Sequence, residues 1–168
     1  MQAARGQIIK ILFQDDFLHS PGALDEIVQA FDEPSVGWVL CGTLHTEDCI
    51  TFFRPLVPKM NPNLRFGINT VSSPSVLALR ANTMPFFDEA LVWLMDVDFY
   101  HRCVDLLGPP KIIEKPLVAN RLHAAQVTHS VLRPLIRKEL RHIAEKEGKD
   151  MSFPDRLRYF RHFAATWI

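Results

Sequence analysis

Hydrophobic and polar positions in the first 41 residues predict a strand, a helix and a second strand. The apolar run over residues 8–13 has the composition of a buried strand. Ser20 followed by Pro21 is typical of a helix start. Apolar residues then recur at the spacing of one helix face: Leu24, Ile27, Val28 and Phe31. Pro34 ends this helix before a second apolar run, residues 36–41. Strand, helix and strand in this order build a parallel sheet, so we expect an α/β protein.

The pattern is less regular further along the chain. Residues 45–75 are rich in Pro, Asn, Ser and Thr, which indicates a surface excursion. A strand is predicted over residues 76–80, followed by a helix that ends at Gly108. The apolar residues of that helix are Met95, Phe99, Cys103 and Leu106. Residues 111–121 alternate as a strand does.

Two amphipathic helices are predicted to close the chain. The first covers about residues 130–147, with Leu132, Ile136, Leu140 and Ile143 on one face. The second starts near residue 154, with Leu157, Phe160, Phe163 and Trp167 on one face. We therefore divide the chain into a sheet-containing domain, residues 1–130, and a helical tail, residues 131–168.

Composition narrows the class of protein. The chain has 168 residues, of which 48% are apolar, the size and composition of one globular domain. No apolar run approaches the ~20 residues of a membrane span, and the start of the chain lacks the apolar core of a signal peptide. Cys41, Cys49 and Cys103 show no CxxC spacing, so reduced, buried thiols are expected. We expect a cytoplasmic protein.

Charge is distributed unevenly between the two predicted parts. Nine of the 19 Lys and Arg residues follow residue 130, but only five of the 19 Asp and Glu residues do. We expect a cation site in the acidic part. Several basic residues lie opposite the apolar face of the last helix: Arg156, Arg158, Arg161 and His162. We expect that apolar face to pack onto the domain. The alternative is peripheral contact with the inner face of an anionic membrane. No nucleic-acid partner is expected.

The first candidate site is the Asp15–Asp16 pair at the end of the first predicted strand. Alternation along a strand points the two side chains in opposite directions, so they cannot do the same job. One carboxylate can hold a hard cation, and the other can accept hydrogen bonds from a sugar or ribose hydroxyl. The alternative is a pair of solvated turn residues.

Asp96 is the second candidate. Asp98 stands four residues before Arg102, the spacing of a surface ion pair on a helix. Asp96 is therefore the freer carboxylate and a candidate general base. Its alternative role is electrostatic, at the start of the helix. Arg102 is also assigned to substrate binding. His123, in a polar segment after a strand, is a candidate cation or phosphate ligand.

Three segments together resemble the family 2 glycosyltransferases of the GT-A fold. GQIIKILFQDDFLHSPGALDEIV (residues 6–28) resembles the stretch that carries their Asp-Asp, or DXD-type, motif. FFDEALVWLMDVDFYHR (residues 86–102) is similar to their acceptor-side segment, which holds an acidic catalytic base. NRLHAAQVTHS (residues 120–130) resembles the following segment, which often contains a His. The resemblance implies a partial GT-A (Rossmann-like) sheet with flanking helices.

The resemblance also implies an activity. The expected reaction transfers a sugar from a nucleotide-diphosphate donor to a saccharide or lipid-linked hydroxyl, with inversion and a divalent metal (Mn²⁺ or Mg²⁺). It assigns a ribose contact to Asp15, the metal to Asp16, the base to Asp96 and an additional metal or phosphate contact to His123. Two positions depart from the family pattern: Phe13 replaces a common Asp, and Met95 replaces a Glu that often precedes the base.

Family members begin with about three strands and two helices ahead of the Asp-Asp strand. This sequence starts a few residues before that strand. We therefore expect either a fragment or a chain that pairs with another chain, and a sheet with an uncovered edge. Two alternatives to transfer remain. One is a catalytically inactive remnant or interaction module, and the other is a metal-dependent phosphoryl-transfer enzyme that uses the same carboxylates.

Overall fold

The computed structural model describes residues 3–82, 85–124, 133–147 and 152–165, which form a mixed α/β structure. The strands are β1 (Ile8–Lys10), β2 (Phe17–Leu18), β3 (Trp38–Thr46), β4 (Phe53–Leu56), β5 (Leu77–Arg80) and β6 (Lys111–Arg121). The helices are α1 (Ala23–Gln29), α2 (Met95–Leu107), α3 (Arg133–Glu147) and α4 (Phe153–Ala165). Two 3₁₀ turns cover Pro62–Phe66 and Pro74–Val76.

The chain forms two compact units. The first consists of Met1–Met60, Thr70–Phe86 and Arg102–His123, and it contains all six strands. The second consists of Asn61–Asn69, Phe87–His101 and Ala124–Ile168. The second unit therefore draws on segments from both sides of the boundary predicted at residue 130.

The sheet is mixed in direction. Its strand order is β1-β5-β3-β6-β2, with β4 paired to β3 as well. β3 and β6 are parallel, whereas β5 runs antiparallel to both β1 and β3. The prediction of a parallel sheet is therefore wrong in part: β1 and β3 run in the same direction, but β5 lies between them. A short apolar run such as β5 does not reveal its direction, because hydrophobic periodicity is the same in both directions.

The edge of the sheet at β1 is open, as expected. β1 pairs with β5 on one side, and no strand within the described ranges pairs with its other side. Backbone pairing continues past β1, because the amide of Ile11 donates to the carbonyl of Leu77 at 3.1 Å. The strand predicted over residues 8–13 is thus shorter than expected but correctly located.

Strand β3 continues beyond its predicted end at Cys41, and a bulge in β6 shifts the register between the two strands at that point. Along β3, the β6 partner of Cys41 is Ile113, whereas that of Gly42 is Pro116. Gly42 is needed here, because a Cβ would lie 2.6 Å from the carbonyl oxygen of Glu114. The shifted register then pairs the second half of β3 with the end of β6, which carries part of the candidate site.

Helix α1 buries a different face from the predicted one. Ala23 and Ile27 are buried together with Phe31, but Leu24 and Val28 are 45% and 43% exposed. The helix starts after Gly22 rather than at Ser20, and no side chain caps its first turn. Ala23 lies on the buried face in place of Leu24. Because Ala is small, the spacing of large apolar residues does not indicate this position.

The segment expected to be a surface excursion is partly ordered into a hairpin. β4 pairs antiparallel with the end of β3, and the two 3₁₀ turns follow. In the hairpin turn Cys49 is exposed, so the expectation that all three cysteines are buried is wrong for this one. None of the described helices is long and apolar enough to cross a membrane.

The second unit has an apolar core of its own, formed by Phe66, Leu94, Phe99, Tyr100, Leu140 and Ile143. Gly67 has a positive φ of 81°, and a Cβ there would lie 3.0 Å from Leu94 and 3.2 Å from Leu140. Only glycine allows both the left-handed turn and this close approach. Two residues of the predicted helix faces, Leu132 and Trp167, lie outside the described residues.

Candidate functional site

The two adjacent aspartates lie in a tight turn that follows β1. The amide of Asp16 donates to the carbonyl of Phe13 at 3.0 Å. The side chains enter different surroundings: Asp16 is buried with 9% exposure, whereas the Asp15 side chain is 32% exposed. The two carboxylates therefore have different surroundings as expected, although they lie in a turn and not on a strand, whose alternation was the predicted reason.

Hydrogen-bond donors surround the Asp16 carboxylate. Its Oδ2 accepts from Asn120 Nδ2 at 2.8 Å and from Ser73 Oγ at 3.1 Å. Its Oδ1 accepts from the amide of Arg121 at 3.2 Å, and the Ser75 side chain also hydrogen-bonds to it. An ionised carboxylate has about four lone-pair positions, and four donors are present. The Asp16 oxygens are therefore engaged by the protein itself.

Asn120 connects this carboxylate to the middle of the sheet. Its amide nitrogen donates to both Asp16 and Ser73, while its carbonyl oxygen accepts from the hydroxyl of Thr43. Thr43 lies in β3 and Asn120 in β6, and both are buried. The network thus joins two strands, the turn after β1 and the segment before β5. Asn120 is a site residue that the sequence argument missed, although a polar residue at the end of an apolar strand is a signal for it.

Burial shifts the pKa values of two groups in this region. Desolvation raises the pKa of the Asp16 carboxyl above its usual value, although its hydrogen bonds with Ser75 and Ser73 oppose the shift. Desolvation lowers the pKa of the Lys10 amine to about 8. That amine donates to the carbonyls of Ile11, Ser75 and Leu77, and its charge also interacts with Asp16.

Asp15 pairs with His123. The Asp15 Oδ2 and His123 Nε2 atoms lie 3.1 Å apart, and the imidazole is 36% exposed. The structure therefore brings together two predicted site residues that are 108 positions apart in the sequence. The contact is to Asp15, however, and not to the aspartate that was predicted to bind the metal.

The Asp15–His123 pair and the Asp16 carboxylate differ in how well they could coordinate a divalent metal. Ligands at about 2.1 Å in an octahedral site lie about 3 Å from their neighbours, a separation that Asp15 and His123 match. These two residues could act as adjacent ligands only of an ion that replaced the hydrogen bond now joining them. Asp16 fits less well, because its oxygens already accept four hydrogen bonds. Within the described parts of the chain, no group of three or more His, Cys, Asp or Glu residues could hold a metal.

Asp96 lies in the second unit, in the first turn of α2. Its Oδ2 accepts from Asn69 Nδ2 at 2.7 Å, and its Oδ1 accepts from the amide of Val97 at 2.7 Å. Burial raises the pKa of this carboxyl to about 6, against the effect of those hydrogen bonds. At neutral pH the group is mostly ionised yet close to its pKa, which suits a general base.

Glu139 of α3 holds the segment that leads to Asp96. Its carboxylate accepts from the amides of Val92 at 2.8 Å, Trp93 at 3.0 Å and Leu94 at 2.8 Å. These amides precede the first turn of α2, where backbone N–H groups lack helical partners. Glu139 is 1% exposed, so it is a buried cap supplied from a distant helix. A Glu within an amphipathic helix carries no local signal for this role.

Asp98 and Arg102 both lie in α2, four residues apart. Asp98 does not lie at the surface as predicted: its side chain is buried and accepts from Lys146 Nζ at 2.8 Å, and its pairing with Arg102 stays a prediction. Lys146 also contacts Asp88, whose pKa is held well below its usual range, chiefly by a hydrogen bond from His142. Arg102 is half-buried in α2, and its assignment to substrate binding stays a prediction.

Comparisons with known proteins add no family assignment. No protein-family model matches the chain, and no curated protein is similar to it.

Proposed function

We propose that this chain takes part in sugar transfer from a nucleotide-diphosphate donor to an acceptor hydroxyl, as part of a GT-A-type domain. The observation that carries the proposal is the arrangement after β1. Asp15 meets His123 there, while Asp16 joins the same turn to the ends of β3 and β6. Two segments that resemble glycosyltransferase motifs are thereby adjacent in space. The open edge of β1 provides a place where further strands of a donor-binding half would pair.

In this proposal Asp15 and His123, rather than Asp16, face the diphosphate of the donor. Both side chains are about one-third exposed and are held 3.1 Å apart. A divalent cation bound by this pair would neutralise charge on the departing nucleoside diphosphate. Asp16 acts instead as an anchor: its hydrogen bonds to Asn120 and the Arg121 amide hold the turn against β6.

Asp96 is the general base of the proposed reaction. The acceptor oxygen forms a bond to the anomeric carbon of the sugar, and the bond from that carbon to the diphosphate oxygen breaks. The acceptor proton passes to the Asp96 carboxylate, and the nucleoside diphosphate leaves with the electron pair. A pKa of about 6 supports this role, because the carboxylate is ionised at neutral pH and still a moderately strong base. Attack opposite the leaving group inverts the anomeric centre.

Calorimetry of the chain with UDP, with and without Mn²⁺, tests the donor side. We expect saturable binding that requires Mn²⁺ and weakens at least about tenfold in Asp15→Asn and His123→Ala, since each variant removes one ligand. Asp32→Asn is the matched control, because Asp32 is an exposed aspartate in the same unit. Folded wild-type protein that gives no saturable heat with UDP and Mn²⁺ contradicts the proposal.

Release of nucleoside diphosphate from a UDP-sugar tests the chemical step separately. Asp96→Ala should abolish release while leaving UDP binding within about twofold, because the base acts on the acceptor and not on the donor. Unchanged turnover in this variant rules Asp96 out as the base.

A second candidate is an interaction module that transfers no sugar. It is favoured by the hydrogen-bond saturation of Asp16, which leaves the most buried acidic residue of the turn with a purely structural role. The open edge of β1 would then serve to pair with another chain. The calorimetric titration separates the two candidates, since a module of this kind gives no Mn²⁺-dependent UDP binding.

A further inference from the structure

Helix α4 packs within the second unit through the rings of Tyr159 and Phe163. Tyr159 and Phe163 stack with their ring centroids 5.8 Å apart, and the guanidinium of Arg141 in α3 lies 5.4 Å from the Phe163 ring. The helix begins sharply, because Ser152 Oγ accepts from the amide of Asp155 and donates to its carboxylate. Tyr159 and Phe163 are half-buried, whereas Phe160 beside them is exposed.

A neighbouring face of the helix is apolar and exposed. Phe153 is 81% exposed, Leu157 55% and Phe160 65%. Their spacing of four and three residues places them in one line along the helix, and we call these three residues the apolar stripe. The expectation that Leu157 and Phe160 pack onto the domain is therefore wrong. Packing uses Phe163 of the predicted face, whose ring lies against the Arg141 guanidinium, together with Tyr159, which stacks on Phe163.

Arginines border the apolar stripe on both sides. At 100° per residue, Arg156 lies about 60° to one side of the stripe and Arg161 about 80° to the other. Both are exposed. Arg158 lies further round the helix, where it contacts Asp155 at 3.4 Å. Within Phe153–Ala165 three arginines thus accompany a single acidic residue.

We propose that the apolar stripe and its bordering arginines dock on an anionic lipid surface. Charge complementarity favours that occupant, because arginines beside an interfacial helix meet the phosphates while aromatic and Leu side chains enter the acyl boundary. The stripe is too small for a stable dimer. Two Phe and one Leu offer roughly 400 Å² at most, against about 800 Å² per partner in a standard protein interface. The inference does not depend on the sugar-transfer proposal.

Vesicle co-sedimentation of the whole chain tests the inference. We expect binding to vesicles of phosphatidylcholine with about 30% phosphatidylserine, and at least tenfold weaker binding to phosphatidylcholine alone. Leu157→Asp and Phe160→Asp should each reduce binding at least tenfold, since each places a charge at the acyl boundary. Replacing Arg156 and Arg161 together by Gln should reduce it about thirtyfold, from about 1 kcal/mol for each arginine near the surface.

The matched control is Ile50→Asp, which places the same charge on an exposed apolar residue far along the chain from α4. Ile50 is 81% exposed, so the variant should fold and bind vesicles as wild type does. Equal loss in Ile50→Asp, equal binding to neutral vesicles, or no binding by folded wild type overturns the inference. Concentration-dependent dimerisation that Leu157→Asp abolishes, without vesicle binding, shows that a second copy covers the stripe and likewise overturns it.

Discussion

The turn after β1 and the start of α2 each contain a buried carboxylate that several hydrogen-bond donors hold, but the donors are of different kinds. In the turn, Asp16 is buried and saturated by donors, and its neighbour Asp15 is partly exposed. At α2, Glu139 is buried and saturated by three backbone amides, while Asp96 keeps a raised pKa. In each region one buried carboxylate is held by several donors, and a second carboxylate is a predicted site residue.

The two regions differ in where the donors come from. Asp16 is held mainly by the side chains of Asn120, Ser73 and Ser75, which depend on strand register. The recorded donors to Glu139 are backbone amides, which any residue except proline would supply at those positions. The side-chain network is consequently the more sensitive to substitution, because each partner can be lost separately. A buried acidic residue is thus not by itself a site for a cation; its hydrogen-bond partners decide that.

The largest effect on this comparison is expected from Asp16→Ala. It leaves Asn120, Ser73 and the Arg121 amide without their acceptor, so we expect a loss of about 3–5 kcal/mol in the free energy of unfolding. Urea denaturation measures it. Asp15→Ala is the matched control one residue away and should cost less than about 1 kcal/mol, because its pair with His123 is partly exposed. Equal losses would show that Asp16 is no anchor.

A smaller effect is expected from Glu139→Gln. The amide side chain keeps its length but presents one oxygen and no charge to the three amides before α2. Hydrogen bonds to a charged acceptor are stronger than those to a neutral one. We therefore expect the free energy of unfolding, measured by urea denaturation, to fall by about 2 kcal/mol. Glu145→Gln on the same helix is exposed and should change stability by less than about 0.5 kcal/mol. If both variants behave alike, the cap does not stabilise the start of α2.

The smallest effect is expected from Asp96→Asn, and its sign depends on pH. The folded state raises the pKa of Asp96 from 3.8 to about 6, so it holds the proton more tightly than the unfolded state does. The contribution of the protonated Asp96 carboxyl to the free energy of unfolding is complete below pH 3.8, and it is lost as the pH rises through about 6. Asp96→Asn removes that loss and should be more stable than wild type by about 1–2 kcal/mol at pH 7.5.

Denaturation of both proteins at pH 3.5 and pH 7.5 measures the difference. The advantage of Asp96→Asn should largely disappear at pH 3.5, where the wild-type carboxyl is mostly protonated in both states. An advantage that is the same at both pH values would mean that burial of the charge is not its cause.

Local patterns determined several elements of this protein. The long strand β6 and helix α2, with its end at Gly108, follow the apolar spacing and the glycine in the sequence, although Leu106 of the predicted α2 face is 65% exposed. The divergence of Asp15 and Asp16 follows from their adjacency. These features depend on neighbours within a few residues, so they can be predicted from a single chain.

Only the tertiary structure decided which residues meet. Asn120 contacts Asp16 across 104 positions, and Glu139 reaches Leu94 across 45. The antiparallel β5 between β1 and β3, and the choice of Tyr159 over Leu157 for packing, likewise depend on distant partners. Hydrophobic periodicity states that a face is apolar, but not what covers it. A buried carboxylate requires several donors at once, and those donors come together only when the strands and helices that carry them are packed.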